Sequence, residues 1–387
     1  MSTGETPGTL PPDAGAPIPL TARAILTVDL TALRANWARL NVVSGKAECA
    51  GVLKADAYGL GLEQIAHALT AEGCRTFFVA TIDEARRARD VQAGARIYVL
   101  DGLLPGAEPH YSGYDLRPVL SSLDEVEDWA AYCRAIGRRL PAALHIDTGM
   151  NRLGMTGEEV LVLAQRPEIF QDFELALVMS HLACADEPAN PMNAAQRRRF
   201  DDLRSRLPPA PASLANSGGT FLGAAYHYDL VRPGIALYGG RAFEGAPNPM
   251  RTVVRLAARI LQVRTVAPGE PVGYGAIYRT RRPTRVATIA CGYADGFLRA
   301  LSSSTDHPGP AGYIDAYAVP LVGRVSMDLL TVDVTDVPDQ LVHRGGWVEL
   351  MGERVTVDDL TDRAGTIGYE LLARLGPRVH RVYERAT

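Results

Sequence analysis

A lysine that ends an apolar run is the first residue in this chain able to do covalent chemistry. Lys54 lies in Gly51-Val52-Leu53-Lys54-Ala55-Asp56-Ala57-Tyr58-Gly59-Leu60-Gly61. As an ordinary strand end it is a solvated cation. As a buried amine it loses the stabilisation of its charge, its pKa falls, and it becomes a nucleophile or a base. Two glycine-bearing segments favour the second reading: Leu214-Ala215-Asn216-Ser217-Gly218-Gly219 and Val231-Arg232-Pro233-Gly234-Ile235-Ala236-Leu237-Tyr238-Gly239. Glycine lets backbone N–H groups close on an anion, and a helix start favours negative charge. Each segment alone reads as a turn. Together with the lysine, they point to a phosphorylated aldehyde cofactor bonded to the amine.

Arg232 precedes the second of these loops. Facing a pyridine nitrogen, its guanidinium can donate a hydrogen bond but cannot protonate the ring. Such a ring is a weaker electron sink than one paired with a carboxylate, and it favours rapid reprotonation of a carbanion. In His145-Ile146-Asp147-Thr148-Gly149-Met150-Asn151-Arg152-Leu153-Gly154, Arg152 offers a planar fork for a substrate carboxylate, with a plain salt bridge as the alternative. His181, in Met179-Ser180-His181-Leu182-Ala183, is either a satisfied core histidine or a group beside a cofactor ring, and Asp186 follows on an exposed loop. Gly273-Tyr274-Gly275-Ala276, Cys291-Gly292-Tyr293-Ala294-Asp295-Gly296 and Gly323-Arg324-Val325-Ser326-Met327-Asp328 are compatible with packing or turns, and spacing alone makes none of them catalytic.

These residues need a frame. Between about residues 20 and 240, short apolar runs at 49–54, 77–80, 97–100, 118–121, 142–147, 175–182, 212–216 and 228–231 read as buried parallel strands. Helical patterns at 62–70, 82–93, 123–136, 158–165 and 193–206 alternate with them. The link between the third and fourth runs shows no clear helix. The alternation predicts an α/β fold: an N-terminal (β/α)8, TIM-like barrel with Lys54 at a strand C-terminus, where barrel active sites form. After a proline-rich linker at 245–249, β-rich runs at 255–266, 285–291, 319–322, 329–334 and 347–350, with helix only near 357–363 and 367–375, predict a mainly β domain. The expected organisation is a disordered extension over 1–20, a cofactor-binding barrel over 21–245 and the β domain over 246–387.

Composition narrows the class. A formal net charge of −4 argues against nucleic acid or an anionic membrane as the main partner. No apolar run approaches the roughly 18–20 residues that span a bilayer, and no secretory signal pattern is visible. The five cysteines form no CxxC pair and read as reduced thiols, so a cytoplasmic protein without a metal site is expected.

Taken together, the segments around Lys54, Arg152, Arg232, Tyr274 and Arg324 resemble those of the alanine racemases, in order, over nearly the whole chain from about residue 23. The resemblance implies a soluble homodimer that uses pyridoxal 5'-phosphate to interconvert L- and D-alanine, with active sites shared between subunits. It implies that Lys54 carries the cofactor and acts as one base, and that Tyr274, supplied by the partner subunit, is the opposite base. Tyr58, Ser217, Gly234, Ile235 and Tyr369 match positions that hold the phosphate, and Asn216 is grouped with them. Arg232 matches the arginine on the pyridine nitrogen, and His181 a residue beside the ring that bonds to Arg232. Arg152 and the Met327 N–H match the site of the substrate carboxylate. Asp186, Tyr293, Arg299, Arg324, Ile367 and Tyr369 resemble the substrate entrance.

The chain departs from the family pattern at His145, where many members carry a carbamylated lysine whose negative charge orients the carboxylate-binding arginine. Histidine cannot supply that charge, so Arg152 must be held by a neutral imidazole, another acid or a bound anion. Two-face proton transfer needs an acid–base group on each side of Cα, and a tyrosine acting as a base needs a cationic neighbour. A racemase accepting serine as well as alanine fits the same residues. A decarboxylase of basic amino acids shares the two-domain plan but pairs the pyridine nitrogen with a carboxylate. A non-catalytic carrier of the cofactor would need neither the second base nor the β domain.

Overall fold

The computed structural model describes residues 18–384, so most of the extension expected over 1–20 lies outside the described residues. The chain forms two compact units. One is Leu33–Met250; the other joins the residues up to Ala32 with those from Arg251 onward.

The first unit is built on parallel strands. Gly51–Val52, Thr76–Val79, Arg96–Val99, Arg117–Leu120, Pro141–His145, Glu174–Met179 and Ala212–Ser213 pair in chain order. Leu230–Val231 closes the ring by pairing with Glu48–Cys49, the start of the first run. Backbone bonds continue the seam. Ala50 N–H donates to Val231 O (3.0 Å) and Val52 N–H to Pro233 O (3.2 Å), while Asp229 N–H reaches Ala212 O (3.0 Å) and Arg232 N–H reaches Ala215 O (2.9 Å). The eight expected runs therefore form the TIM-like barrel. Their apolar character follows from position: all four residues of Thr76–Val79 are buried, as strands covered on both faces must be.

Helix starts are fixed by local chemistry. Thr81 and Glu84 form a capping box before Ile82–Val91, Thr156 and Glu159 another before Gly157–Ala164, and the Ser122 hydroxyl caps Leu123–Ala135. The third crossover, where no helix was expected, contains the six-residue helix Glu108–Gly113 with only Tyr111 buried. One buried residue gives no 3.6-residue pattern to detect.

The second unit centres on the long strand Val254–Val266, which pairs antiparallel with Ala24–Asp29, Thr284–Ile289 and Trp347–Met351. Ala24–Asp29 also pairs parallel with His380–Glu384. This corrects the domain boundary expected at residue 21. Residues 24–29 are a central strand of the β unit, and Leu30–Ser44 is the helix by which the chain enters the barrel unit. An apolar run of this length does not say which sheet will accept it. The hairpin Ala311–Ile314 and Tyr317–Pro320 and the pairing of Leu330–Asp333 with Thr284–Ile289 complete the β-rich character. No helix among the described residues is long and apolar enough to cross a membrane.

Candidate active site

Lys54 follows the first barrel strand directly, and Leu53 N–H is tied to Phe78 O on the second (2.8 Å). The backbone then does something L-residues rarely do. Ala55, Asp56, Ala57 and Tyr58 all lie in the left-handed helical region, with φ of 54°, 55°, 53° and 57°. Each such residue costs about 1–2 kcal/mol, so four in a row persist only where surroundings enforce them. Glu84 accepts from Asp56 N–H (3.2 Å) through one oxygen and from Ala80 N–H (2.9 Å) through the other. The Asp56 carboxylate in turn accepts from Leu62 N–H (3.1 Å) and from Arg87 (2.6 Å), which also grips Glu63. Burial, followed by the Arg152 charge, holds the Lys54 amine below its usual range, with Asp101 and Glu84 opposing in part.

The turn delivers Tyr58 to the two loops expected to bind phosphate. Its ring packs against Tyr238 at 4.6 Å, and a Cβ at Gly234 would collide with the Tyr58 hydroxyl. Asn216 caps the short helix Ser217–Phe221, its Oδ1 accepting from Gly219 N–H (2.9 Å). The Ser217 hydroxyl accepts from Gly234 N–H (2.8 Å), locking the loop after strand seven to that after strand eight. A Cβ at Gly218 would lie 2.6 Å from Ala185 O. Ile235 is fully buried, and its N–H meets no acceptor among the described residues. Bare backbone, two hydroxyls and a spare buried donor fit a phosphate group.

Arg232 is buried at the centre of this end of the barrel. Its guanidinium donates to the Ser213 hydroxyl and to Ser180 O (2.6 Å) and lies 5.8 Å from the Phe78 ring centroid. Burial pushes its pKa down to about 9, which leaves it protonated at neutral pH. The expected bond between Arg232 and His181 is not what forms. The His181 ring instead faces the Asn216 amide at 3.5 Å, and burial followed by the Arg232 charge drives it well down, so it stays neutral. Two carbonyl or hydroxyl acceptors satisfy a buried guanidinium better than a second base with its own proton demand.

Arg152 sits on a loop whose ends are clamped by Asp147 N–H to Met155 O (2.9 Å) and Met155 N–H to His145 O (2.8 Å). The Asp147 carboxylate accepts from the Gly149, Met150 and Asn151 N–H groups and shapes the turn. The Arg152 guanidinium is exposed and makes no hydrogen bond or ion pair among the described residues. His145 is buried nearby. Burial, then Arg232, lowers its imidazole to about 4, so it brings no charge of either sign at neutral pH. Asp186, at the same unit's surface, accepts through its carbonyl from Glu244 N–H (2.7 Å).

The remaining expected residues belong to the β unit. Tyr274 is largely exposed, at 74%, and lines a hollow of about 570 Å³ with Arg264, Arg324 and Ser326. Tyr293 N–H bonds to Ser326 O (3.0 Å) and Ala294 N–H to Met327 O (2.9 Å), so the segments around Tyr293 and Met327 are neighbours. Arg299 lies on a 3-10 turn against the helix Val357–Ala364, and Ile367 and Tyr369 open the helix Gly368–Ala373. Sequence reading missed Glu84, Asp101, Ser180 and Ser213, which act through the main expected residues. Only the Thr81–Glu84 capping pattern gave a signal, and that for a helix start.

Two family profiles cover the chain: "Alanine racemase, N-terminal domain" over residues 28–242 and "Alanine racemase, C-terminal domain" over residues 253–383. An alanine racemase of Rhizobium meliloti (strain 1021) is 50% identical over 372 residues, covering 94% of this chain and 97% of the relative. The chain belongs to the alanine racemase family. A catabolic alanine racemase of Mesorhizobium japonicum is 49% identical, covering 94% of this chain and 93% of the relative. The alanine racemase of Bartonella henselae, solved with covalently bound pyridoxal phosphate, superposes with a TM-score of 0.88 at 40% identity, covering 94% of this chain and all of that one. Against that family background, Lys54 and the phosphate-sized cradle are the parts of the barrel unit that fit such a cofactor.

Two outcomes follow from the geometry. Ala55 is exposed and strained, so Ala55→Gly should raise stability by about 1 kcal/mol in urea unfolding, while loss of stability would mean the turn is not left-handed in solution. His145 binds its proton near pH 6.5 when unfolded but only near 4 when folded, so folding stability falls as pH drops through that window. The loss approaches about 3 kcal/mol, and His145→Asn should remove most of it. Equal pH dependence of the unfolding midpoints of the two proteins would refute the burial of a neutral imidazole.

Proposed function

We propose that this chain interconverts L- and D-alanine as a pyridoxal-phosphate-dependent alanine racemase, its active site completed by a second copy. The observation that carries this is the amine of Lys54, desolvated and displayed by a strained turn that also brings Tyr58 to the cradle of Ser217, Gly234 and Ile235. When bound, pyridoxal phosphate accepts the electron pair left on alanine's Cα after its proton departs.

The protein's own residues do the rest. Ser217, Tyr58 and the Gly234 and Ile235 backbone would hold the phosphate, with Asn216 fixing the helix that presents Ser217. Arg232 would hold the pyridine nitrogen as a donor that keeps its own proton, which limits the ring's pull on electrons and favours return of the proton to Cα. Neutral His181 would lie beside the ring without adding charge. The fork of Arg152 and the N–H of Met327 would bind the substrate carboxylate. Lys54, its amine held below the usual range, removes or returns the Cα proton on one face. Tyr274 does the same on the other face. Tyr274, Met327 and Ile367 are unusually exposed for their size, at 74%, 54% and 60%, and this supports a homodimer in which the β unit of one copy meets the barrel of the other. Tyr369 would add to phosphate binding, and Asp186, Tyr293, Arg299, Arg324, Ile367 and Tyr369 would line the substrate entrance.

Lys54→Ala should abolish borohydride-stable attachment of the cofactor, read by mass spectrometry of the Lys54 peptide, and cut racemisation by at least about 10²–10⁴-fold. Wild-type rates in that variant would end the proposal. Tyr274→Phe should still exchange the α-proton of one enantiomer into deuterated water while slowing exchange from the other by about 10²-fold or more. Exchange is the right measure because an equilibrium constant of unity ties the two steady-state directions together. Symmetric slowing would argue against two bases on opposite faces.

A further inference from the structure

The helix Pro191–Arg204 packs behind the active end of the barrel, and it carries a fully buried glutamine. Gln196 spends its amide on three groups. Its Oε1 accepts from Ala183 N–H (2.8 Å), and its Nε2 donates to His181 O (2.9 Å) and to the Thr148 hydroxyl (3.1 Å). Thr148 is itself buried and shares a hydrogen bond with the Ser180 hydroxyl (2.8 Å). Ser180 O is the acceptor that takes one arm of Arg232.

These bonds join two parts of the site that covalent structure leaves separate. Thr148 lies on the loop that carries Arg152, four residues before it. The Asp147 carboxylate and the Met155 clamp fix the loop's internal shape and its ends but do not fix its tilt against the neighbouring strand. Thr148 is the loop's buried attachment to the sixth strand's end, and Gln196 bolts both sides of that attachment from behind. The Met192 methyl, one turn earlier on the same helix, presses against Gly149 and adds contact to the same loop. Arg152 has no hydrogen-bond or ion-pair partner among the described residues to set its direction, and the neutral His145 supplies no charge to attract it. Its aim must therefore come from the loop.

We infer that Gln196 is a positioning residue for substrate binding: through Thr148 it locks the Arg152 loop onto the strand end bearing Ser180 and His181, and so aims the guanidinium at the substrate carboxylate. This rests on the reading of Arg152 as the carboxylate-binding residue. Gln196 makes no hydrogen bond to Tyr58, Ser217, Gly234 or Ile235, and it reaches Asn216 only through the long contacts of Asn216 with His181 and Leu182 (3.5 and 3.4 Å), so its removal bears on the Arg152 loop more than on the cradle.

The test uses the holoenzyme and propionate, which is alanine without its amine, as a ligand that reports carboxylate binding without turnover. Gln196→Leu removes all three bonds. Gln196→Met keeps the length of the side chain while also removing all three bonds, and it serves where the leucine variant folds poorly. Both should weaken propionate binding, by calorimetry, about tenfold and raise KM for alanine by a similar factor. They should change kcat far less and retain bound cofactor through gel filtration. Arg152→Met is the comparator and should lose propionate binding. If Arg152→Met binds propionate normally, the carboxylate role fails and the coupling falls with it. If Arg152→Met loses propionate while both Gln196 variants keep wild-type affinity and KM, and differ only in melting temperature, Gln196 is structural and the inference alone is overturned.

Discussion

Four consecutive L-residues in the left-handed region, directly after Lys54, are the constraint around which the barrel unit is arranged. The turn is unfavourable in itself, so the residues that force it are as necessary as the lysine. Glu84 takes the Asp56 N–H, Asp56 takes the Leu62 N–H and Arg87, and Arg87 is shared with Glu63. These groups sit on two successive crossover helices and the loops before them. The strain at residues 55–58 is thus opposed by ordinary capping and ion-pair chemistry on those two helices. The result is a short, stiff connection between Lys54, the amine proposed to carry the cofactor, and Tyr58, which meets the Gly234 loop.

Electrostatics at this end of the barrel follow from crowding of positive groups. Lys54, Arg152, Arg232 and the imidazoles of His145 and His181 influence one another. Such a cluster cannot all be charged. The two imidazoles give up their protons, the lysine amine is held low, and Arg232 keeps its own because a guanidinium's intrinsic basicity is highest. Two permanent cations then remain beside a polar cradle. That is a site suited to a dianionic phosphate ester and an α-carboxylate, beside a lysine whose amine is held below its usual range. His145 belongs to this economy of charge: a histidine there avoids adding a third permanent cation, although it cannot pair with Arg152 as an acid would.

Much of this was legible in the sequence, and the failures have identifiable causes. Strands buried on both faces are short and uniformly apolar, so the eight barrel runs were visible. The glycine-bearing loops were visible because close approach of backbone leaves no room for a Cβ at Gly218 and Gly234. Residues 24–29 were not placed, because burial on both faces looks alike in either sheet and only pairing with Val254–Val266 and His380–Glu384 distinguishes them. The left-handed turn was invisible for a stronger reason: Ala55, Asp56, Ala57 and Tyr58 carry no glycine or asparagine to advertise positive φ. Its cause lies in Glu84 and Arg87, some thirty residues away. Ser180, Ser213 and Gln196 are small or neutral polar residues whose importance arises only from what they touch.

The bonds of Arg232 show what the protein alone does and does not satisfy in this part of the barrel. A buried guanidinium carries five N–H donors, and here bonds to Ser213 and Ser180 O account for two of them. The Phe78 ring, at 5.8 Å, offers a weak electrostatic contact but no true acceptor. A donor left unsatisfied in a buried place costs about 1–3 kcal/mol, and more when charged. A ring nitrogen with a free lone pair, held there as proposed, would remove part of that cost, as a phosphate would for the buried Ile235 N–H. Pyridoxal phosphate held as proposed would therefore complete a hydrogen-bond set that the described residues leave incomplete. Energy recovered there would help offset the strain held in residues 55–58, so that in the proposed reading the fold around Lys54 and cofactor binding are two parts of one equilibrium.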